Sequence, residues 1–552
     1  MKMKYLLGSL LSFMISISAI AQDNPGADYL SLGEVKLAKD YFEKKLSQAP
    51  AESNYYLGEI AFDEGNLSEA KAKYEAGLAA NPESALSAVG VAKLLLKSDP
   101  KEAENQFKEI QKKNKKDVGV ILAIAKAYLD NGMKEKALDK LQDARKADKK
   151  NPYIYIFEGD MLAKENKPGE AAQQYDQAIN FDPQCVLAYM KGARVYEFIN
   201  REQAASMLRK AIEIRPENKI AYKELAQLYN RDGFYPQAIE AFKELIKGGD
   251  YTIDDLRRYA AAEYFTKNYD ESMRLLEEGL QKNPNDFVLN RLLMYNSNDL
   301  KDFQTGLAAG DKFFSLTLSK GDTILPQDYK TYATILSEVG NKVKAVEQYK
   351  KLITLDPNNK ELYKEVATLC GAENMDEDAA TFFKKYIELK GEEADAQDYF
   401  TLGRYYLSAG AEVAADTISM SKEAALAKST DLFKKADATF GTVTERMPDS
   451  HLGYLMRAHA NSQLDLQTTK GLAKPYYEEV AKIITSKADQ SESDKKTLIE
   501  AYRYLAYYHY LQFVDHGKKA DDKNYIKTYS EKILELDPTN GTAKSFLDFL
   551  AQ

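Results

Sequence analysis

Four histidines (His451, His459, His509, His516) and two cysteines (Cys185, Cys370) are the chain's whole stock of imidazoles and thiols. His509 and His516 could share a helix face, but no third ligand type stands near them, so the spacing predicts no metal site. The cysteines are far apart and read as small buried apolar residues. No phosphate loop (G-x-x-x-x-G-K-[ST]), nucleophile elbow (G-x-S-x-G) or zinc helix (H-E-x-x-H) occurs. Carboxylates are abundant, but their spacing is that of solvated helix faces. The expected catalytic, cofactor and metal sets are therefore empty. What remains is contact chemistry: 38 tyrosines and 22 phenylalanines, with no tryptophan.

The elements that position these residues follow from a repeat. A small residue recurs at Ala70, Ala103, Ala137, Ala171, Ala204, Ala238, Ser272 and Gly306, at spacings of 33 or 34, and resumes at Ala345 and Ala379 after a five-residue insertion. Four residues later stands a bulky side chain, as in Tyr74, Phe107, Tyr175, Phe242 and Phe383, on the same helix face one turn along. Twelve residues later stands proline in several copies (Pro82, Pro183, Pro216, Pro284, Pro357), which closes one helix and opens the next unit. Twelve residues earlier stands a small residue such as Gly58, Gly159 or Gly192, which lets two helices approach closely. Gly65, Gly132, Gly233 and Gly340 supply the turn inside each unit.

This pattern resembles the tetratricopeptide repeat (TPR), a helix–turn–helix of 34 residues, with Ala51 to Ser84 the best copy. The resemblance implies an all-α fold, a right-handed α-α superhelix (TPR solenoid) of about 13–14 repeats. The reading divides the chain into a signal peptide (1–21), an N-terminal array (22–320) whose last repeat is degenerate, and a C-terminal array (326–552). The second array carries insertions near 411–429 and 515–524 and a capping helix at 541–550. Gly306, Gly310 and Gly321 in the degenerate repeat suggest a flexible joint. No uncommitted stretch approaches the ~100 residues of a catalytic domain.

The first residues read as an export signal. Lys2 and Lys4 precede an apolar run broken by serines, and Ala19-Ile20-Ala21 is a cleavage pattern before Gln22. No later stretch is apolar enough to span a bilayer. The formal charge of −9 argues against nucleic acid as a partner. One stretch, Lys97 to Lys150, is locally basic and reads as a solvated face or as a docking patch for an acidic partner.

In the TPR family first helices line a concave groove that binds peptides or partner helices. Carried onto this chain, the groove presents Tyr55, Phe62, Tyr153, Ile156, Tyr189 and Tyr196, then Lys223, Asn230, Arg231, Arg257 and Tyr264, and later Lys330, Lys364 and Arg404. Aromatic and arginine side chains suit binding hot spots. The family's carboxylate-clamp pattern is not reproduced. The expectation is a non-catalytic scaffold or adaptor for protein or peptide partners. The signal end and the Gly471–Tyr477 segment resemble TPR proteins of Bacteroidota, implying the periplasm of a Gram-negative bacterium and a possible outer-membrane complex. Alternatives are a glycan-binding module that stacks sugars on groove tyrosines, an enzyme accessory subunit, or an enzyme of unrecognised type.

Overall fold

The computed structural model describes residues 24–551 except 248, 250, 417 and 516–518. The expected signal peptide, His516 and part of the 515–524 insertion lie outside the described residues. Among the described residues there are 29 α-helices and no strand. They pair into fourteen hairpins and a final single helix.

The chain divides into two compact units at Pro284/Asn285. The first holds α1 (Pro25–Ser31), α2 (Val35–Lys45), α3 (Pro50–Asp63), α4 (Leu67–Ala80), α5 (Ala85–Leu95), α6 (Pro100–Lys113), α7 (Val118–Asp130), α8 (Lys134–Ala147), α9 (Pro152–Lys164), α10 (Pro168–Phe181), α11 (Val186–Tyr196), α12 (Arg201–Ile214), α13 (Lys219–Arg231), α14 (Tyr235–Ile246), α15 (Ile253–Phe265) and α16 (Tyr269–Lys282). The second holds α17 (Phe287–Leu300), α18 (Phe303–Ser315), α19 (Pro326–Glu338), α20 (Lys342–Leu355), α21 (Lys360–Ala372), α22 (Asp376–Lys390), α23 (Ala396–Ala415), α24 (Lys422–Arg446), α25 (His451–Leu464), α26 (Lys474–Thr485), α27 (Glu492–Asp515), α28 (Ala520–Leu536) and α29 (Gly541–Ala551).

Local chemistry starts and stops these helices. Side-chain oxygens of Asn66, Ser84, Asp99, Asp117, Asn200 and Asn218 accept backbone N–H groups at N-termini, and Pro50, Pro100, Pro152 and Pro168 open helices where a missing N–H is harmless. Many of the turns within hairpins hold one residue at positive φ. Gly65, Gly132, Gly233 and Gly340 provide it, and Asn166, Lys267, Lys301 and Asn374 hold the equivalent place in repeats without glycine.

The small and bulky positions interlock. A Cβ on Gly58 would lie 2.5 Å from the Tyr74 ring, and one on Gly90 of the next repeat 2.3 Å from it, so this buried ring is clasped between two helices. Gly159 holds Tyr175 and Gly403 holds Phe440 in the same way. The extra residues near 411–429 lengthen α23 and α24, and a second such lock, Gly410 on Phe433, fastens the extension.

The 287–320 repeat forms a full hairpin, α17 and α18, and its glycines serve close packing: a Cβ on Gly310 would lie 2.4 Å from the Tyr332 ring, and one on Gly306 3.0 Å from Ile335. α19 seats on those glycines, and the two compact units divide at 284/285.

Candidate functional site

The first helices of unit 1 carry charges into its interior. Lys93 of α5 lies 3.0 Å from Glu59 of α3 and 2.7 Å from Asp130 of α7. Lys126 of α7 lies 3.0 Å from the same Glu59 and 2.6 Å from Asp130. Tyr74 Oη donates to Glu59 at 2.6 Å, and the Lys93 ammonium sits 3.8 Å above the Phe62 ring. Three repeats on the motif recurs: Tyr175 Oη donates to Asp160 at 2.7 Å, and Lys191 approaches the same carboxylate at 2.7 Å.

The two clusters differ in balance. Burial alone would raise the Glu59 carboxyl, but Lys126 and Lys93 outweigh it and hold it down at about 2. Asp160 has a single lysine, so burial wins: its carboxyl is raised and the Lys191 ammonium lowered. Beyond them Arg194 of α11 pairs with Glu224 of α13 at 2.6 Å. The Glu59 and Asp160 clusters are satisfied across repeats and offer no open charge to a partner. Lys126 is thus a core residue within the stretch that reads from sequence as a solvated basic face.

The predicted groove residues separate accordingly. Tyr55 and Ile156 are each 2% exposed, so neither presents a surface to a partner. The ring of Tyr55 packs edge-on against Tyr56, inside the hairpin stack. Phe62 lies under Lys93 and Tyr153 is half-buried. Lys223 is half-buried, and the Asn230 side-chain oxygen is buried without a hydrogen-bond partner among the described residues. Arg231 is exposed but paired with Glu197, and Arg257 faces Asp254 at 3.8 Å. In unit 2, Lys330 lines a cavity of about 310 Å3, Lys364 lies 5.5 Å from the Tyr386 ring and Arg404 is exposed.

Tyr189, Tyr196 and Tyr264 fall on a more open surface. Tyr189 lines a cavity of about 560 Å3 between α10 and α12, with Asn180, Gln203, Arg209, Lys210 and Glu213 around it. Tyr196 donates to Asp176 of α10 at 2.6 Å. At the cavity's rim Arg209 donates to Tyr229 of α13 at 2.5 Å. The Tyr229 ring meets Phe234 edge-on, Tyr235 stacks on Phe265 at 4.8 Å, and Phe265 meets Tyr264 at 5.5 Å. Phe234 and Phe265 are about half exposed, as are Phe198 and Ile199 in the preceding turn. Sequence reasoning missed Arg209, Tyr229, Phe234 and Phe265. The available signal was an apolar residue at a hairpin turn, out of phase with the core positions.

Unit 2 has a smaller aromatic cavity, about 310 Å3, lined by Tyr477, Glu500, Arg503, Tyr504, Tyr507 and Phe546. His459 Nε2 lies 2.6 Å from Glu500, which also accepts from Tyr477. His509, incidental from sequence, is buried between Asp522 at 2.7 Å and the Tyr525 ring. Among the described residues no group of three His, Cys, Asp or Glu side chains could hold a metal ion, and no helix is long and apolar enough to cross a membrane.

Stacked helical hairpins with an exposed aromatic, arginine-edged patch define a helical-repeat fold. Residues 26–85, 122–184 and 190–251 match the tetratricopeptide repeat family model, so the chain carries tetratricopeptide repeats. It is similar to the human mitochondrial import receptor subunit TOM70, 24% identical over 294 residues; the match covers 50% of this chain and 46% of that protein, so the chain spans about half the length of this curated relative. Among solved structures it is similar to the C-terminal part of a TPR repeat-containing protein from Cytophaga hutchinsonii (24% identity, 53% of this chain and 99% of that one, TM-score 0.31). It is also similar to PilW, a widely conserved type IV pilus biogenesis factor (16% identity, 38% and 96%, TM-score 0.30). Identities this low transfer no role from those structures.

Proposed function

We propose that this protein is a non-catalytic adaptor that holds partner proteins or extended peptides on the outer surface of α10–α15. The observation that supports it most is the continuity of the Tyr189 cavity, Arg209 and Tyr229 with the exposed rings of Phe234 and Phe265. Contiguous exposed aromatics are unusual on a surface that meets only water, and tyrosine, arginine and phenylalanine carry much of the energy where proteins meet.

The Ala19-Ile20-Ala21 cleavage pattern supports an envelope setting in a Gram-negative bacterium. The mature chain recovered from native envelopes is expected to begin at Gln22, and N-terminal sequencing that finds Met1 retained would remove the export reading.

The adaptor reading is tested by affinity capture from the native envelope with two double variants, Tyr189→Ala with Arg209→Ala and Phe234→Ala with Phe265→Ala. Hot-spot truncations lose about 2 kcal/mol or more each, so each pair should weaken capture by well over tenfold. A Tyr55→Phe control, altered inside the hairpin stack, should capture normally. Retention of every partner by both double variants would reject this surface.

A further inference from the structure

Helix α1 has seven residues, and isolated helices below about 12–15 residues are marginal in water. Yet Ala27, Asp28, Leu30, Ser31 and Leu32 are all buried. On one side α2 covers it, with Gly26 so close that a Cβ would lie 2.3 Å from Tyr41. The other side is covered by residues far along the same unit. Arg215, which caps the end of α12, donates to Asp28 Oδ2 at 2.9 Å, and Arg194 of α11 donates to the Leu32 carbonyl at 2.7 Å. The Arg215 and Asp28 side chains are only 13% and 9% exposed. Cys185, at the start of α11, is buried beside them: burial pushes its thiol up to about 12, and the Asp28 carboxylate adds to the rise.

Covering the first full repeat does not require this contact. Phe42 of α2 already stacks on Tyr56 of α3 at 4.5 Å. Helix α1 instead reaches across to α11 and the end of α12, where one guanidinium takes its carboxylate and another takes the carbonyl at its C-terminal end. Both are the interactions a cationic surface makes with a short acidic helix.

We infer that the face formed by α11 and the end of α12 is a docking site for a short acidic helix of a partner protein, and that α1 is its resident occupant. A two-turn helix tethered through Leu32–Glu34 opens more readily than stacked hairpins do. A partner segment of the same chemistry then competes for the contacts that Arg215 and Arg194 make to α1, and its gain in contact shifts the population toward the open form. This inference rests on the adaptor reading for the existence of a partner, but its physical core does not.

The full chain carries its own reporters. Alkylation by N-ethylmaleimide, followed thiol by thiol by mass spectrometry, compares Cys185 beneath α1 with Cys370 of α21, which is fully buried in the other unit. Asp28→Arg should speed Cys185 alkylation by about tenfold or more and leave Cys370 unchanged. Adding Arg215→Asp reverses the pair and should restore the slow rate. A synthetic peptide of residues 24–34, added to the Asp28→Arg chain, should slow Cys185 alkylation saturably, whereas the same peptide carrying Asp28→Arg should not. A Cys185 rate unmoved by Asp28→Arg, or one rising in step with Cys370, would overturn the inference, as would failure of the native-sequence peptide to protect. Envelope capture by the Tyr189 and Phe234 double variants is read separately, so failure of the adaptor surface and failure of the α1 site are distinguishable.

Discussion

Lys93 and Lys191 are almost completely shielded from water, a state a lysine reaches only when paired. Each finds its carboxylate on a preceding first helix, and a tyrosine from the intervening second helix completes the cluster. The Glu59 cluster has a definite pH signature. Its carboxyl is depressed from 4.5 to about 2 in the folded chain, so its stabilisation is fully present above the unfolded value and is lost as pH falls from about 4.5 through about 2. Glu59→Gln leaves Lys93 and Lys126 short of countercharge. At pH 7 it should cost about 3–5 kcal/mol, read as lost amide protection in α3, α5 and α7. The difference from the native chain should narrow across that acid window. Equal protection in the two proteins at pH 7 would show the cluster to be energetically idle. None of this was legible in the sequence, where Glu59, Lys126 and Asp160 look like any other charges on a helix, because a partner one repeat away has no local signature.

The hairpin is the element whose physics the sequence displays best. Small residues at Gly58 and Gly159 predicted close helix contact, and the structure places Tyr74 and Tyr175 against them. Gly58→Ala improves intrinsic helix propensity by about 1 kcal/mol yet pushes a methyl group into a ring that cannot retreat, which costs about 1–3 kcal/mol. Net loss of stability is expected in thermal unfolding, and a companion Tyr74→Leu should recover part of it. The turn was legible only where glycine occupies it. Lys267 and Lys301 stand at the same left-handed position with φ of 63° and 61°, a conformation that strains a side chain with a Cβ. Lys267→Gly should therefore raise stability by about 1 kcal/mol, measurable as a higher unfolding midpoint; a lower midpoint would mean the lysine side chain contributes more than its backbone strain removes.

At the scale of the molecule, unit 1 packs small, bulky and aliphatic positions from Ala27 to Met161 into one core, unit 2 packs its own in successive clusters, and the extended hairpin of α23 and α24 adds to that plan without replacing it. Within unit 1 the N-terminal helix returns to α11 and the end of α12, while Phe234 and Phe265 leave their rings about half exposed. The division of labour has a consequence for capture experiments. Variants on the outer surface should change binding without changing stability, because their side chains leave little buried area behind, whereas variants at Glu59 or Gly58 should change stability first.

The amino-acid order by itself determined the period, the hairpins, the turn and the apolar lock positions, because all of these are set within a single repeat by spacing and by the conformational limits of glycine, proline and asparagine. Only the tertiary structure decided which charges enter the interior, that Tyr55 and Ile156 are covered while Phe234 and Phe265 are not, and where α1 comes to rest. Those outcomes depend on how successive hairpins turn relative to one another, a small rotation per repeat that accumulates along the stack and brings Asp28 to Arg215 across most of a unit's length.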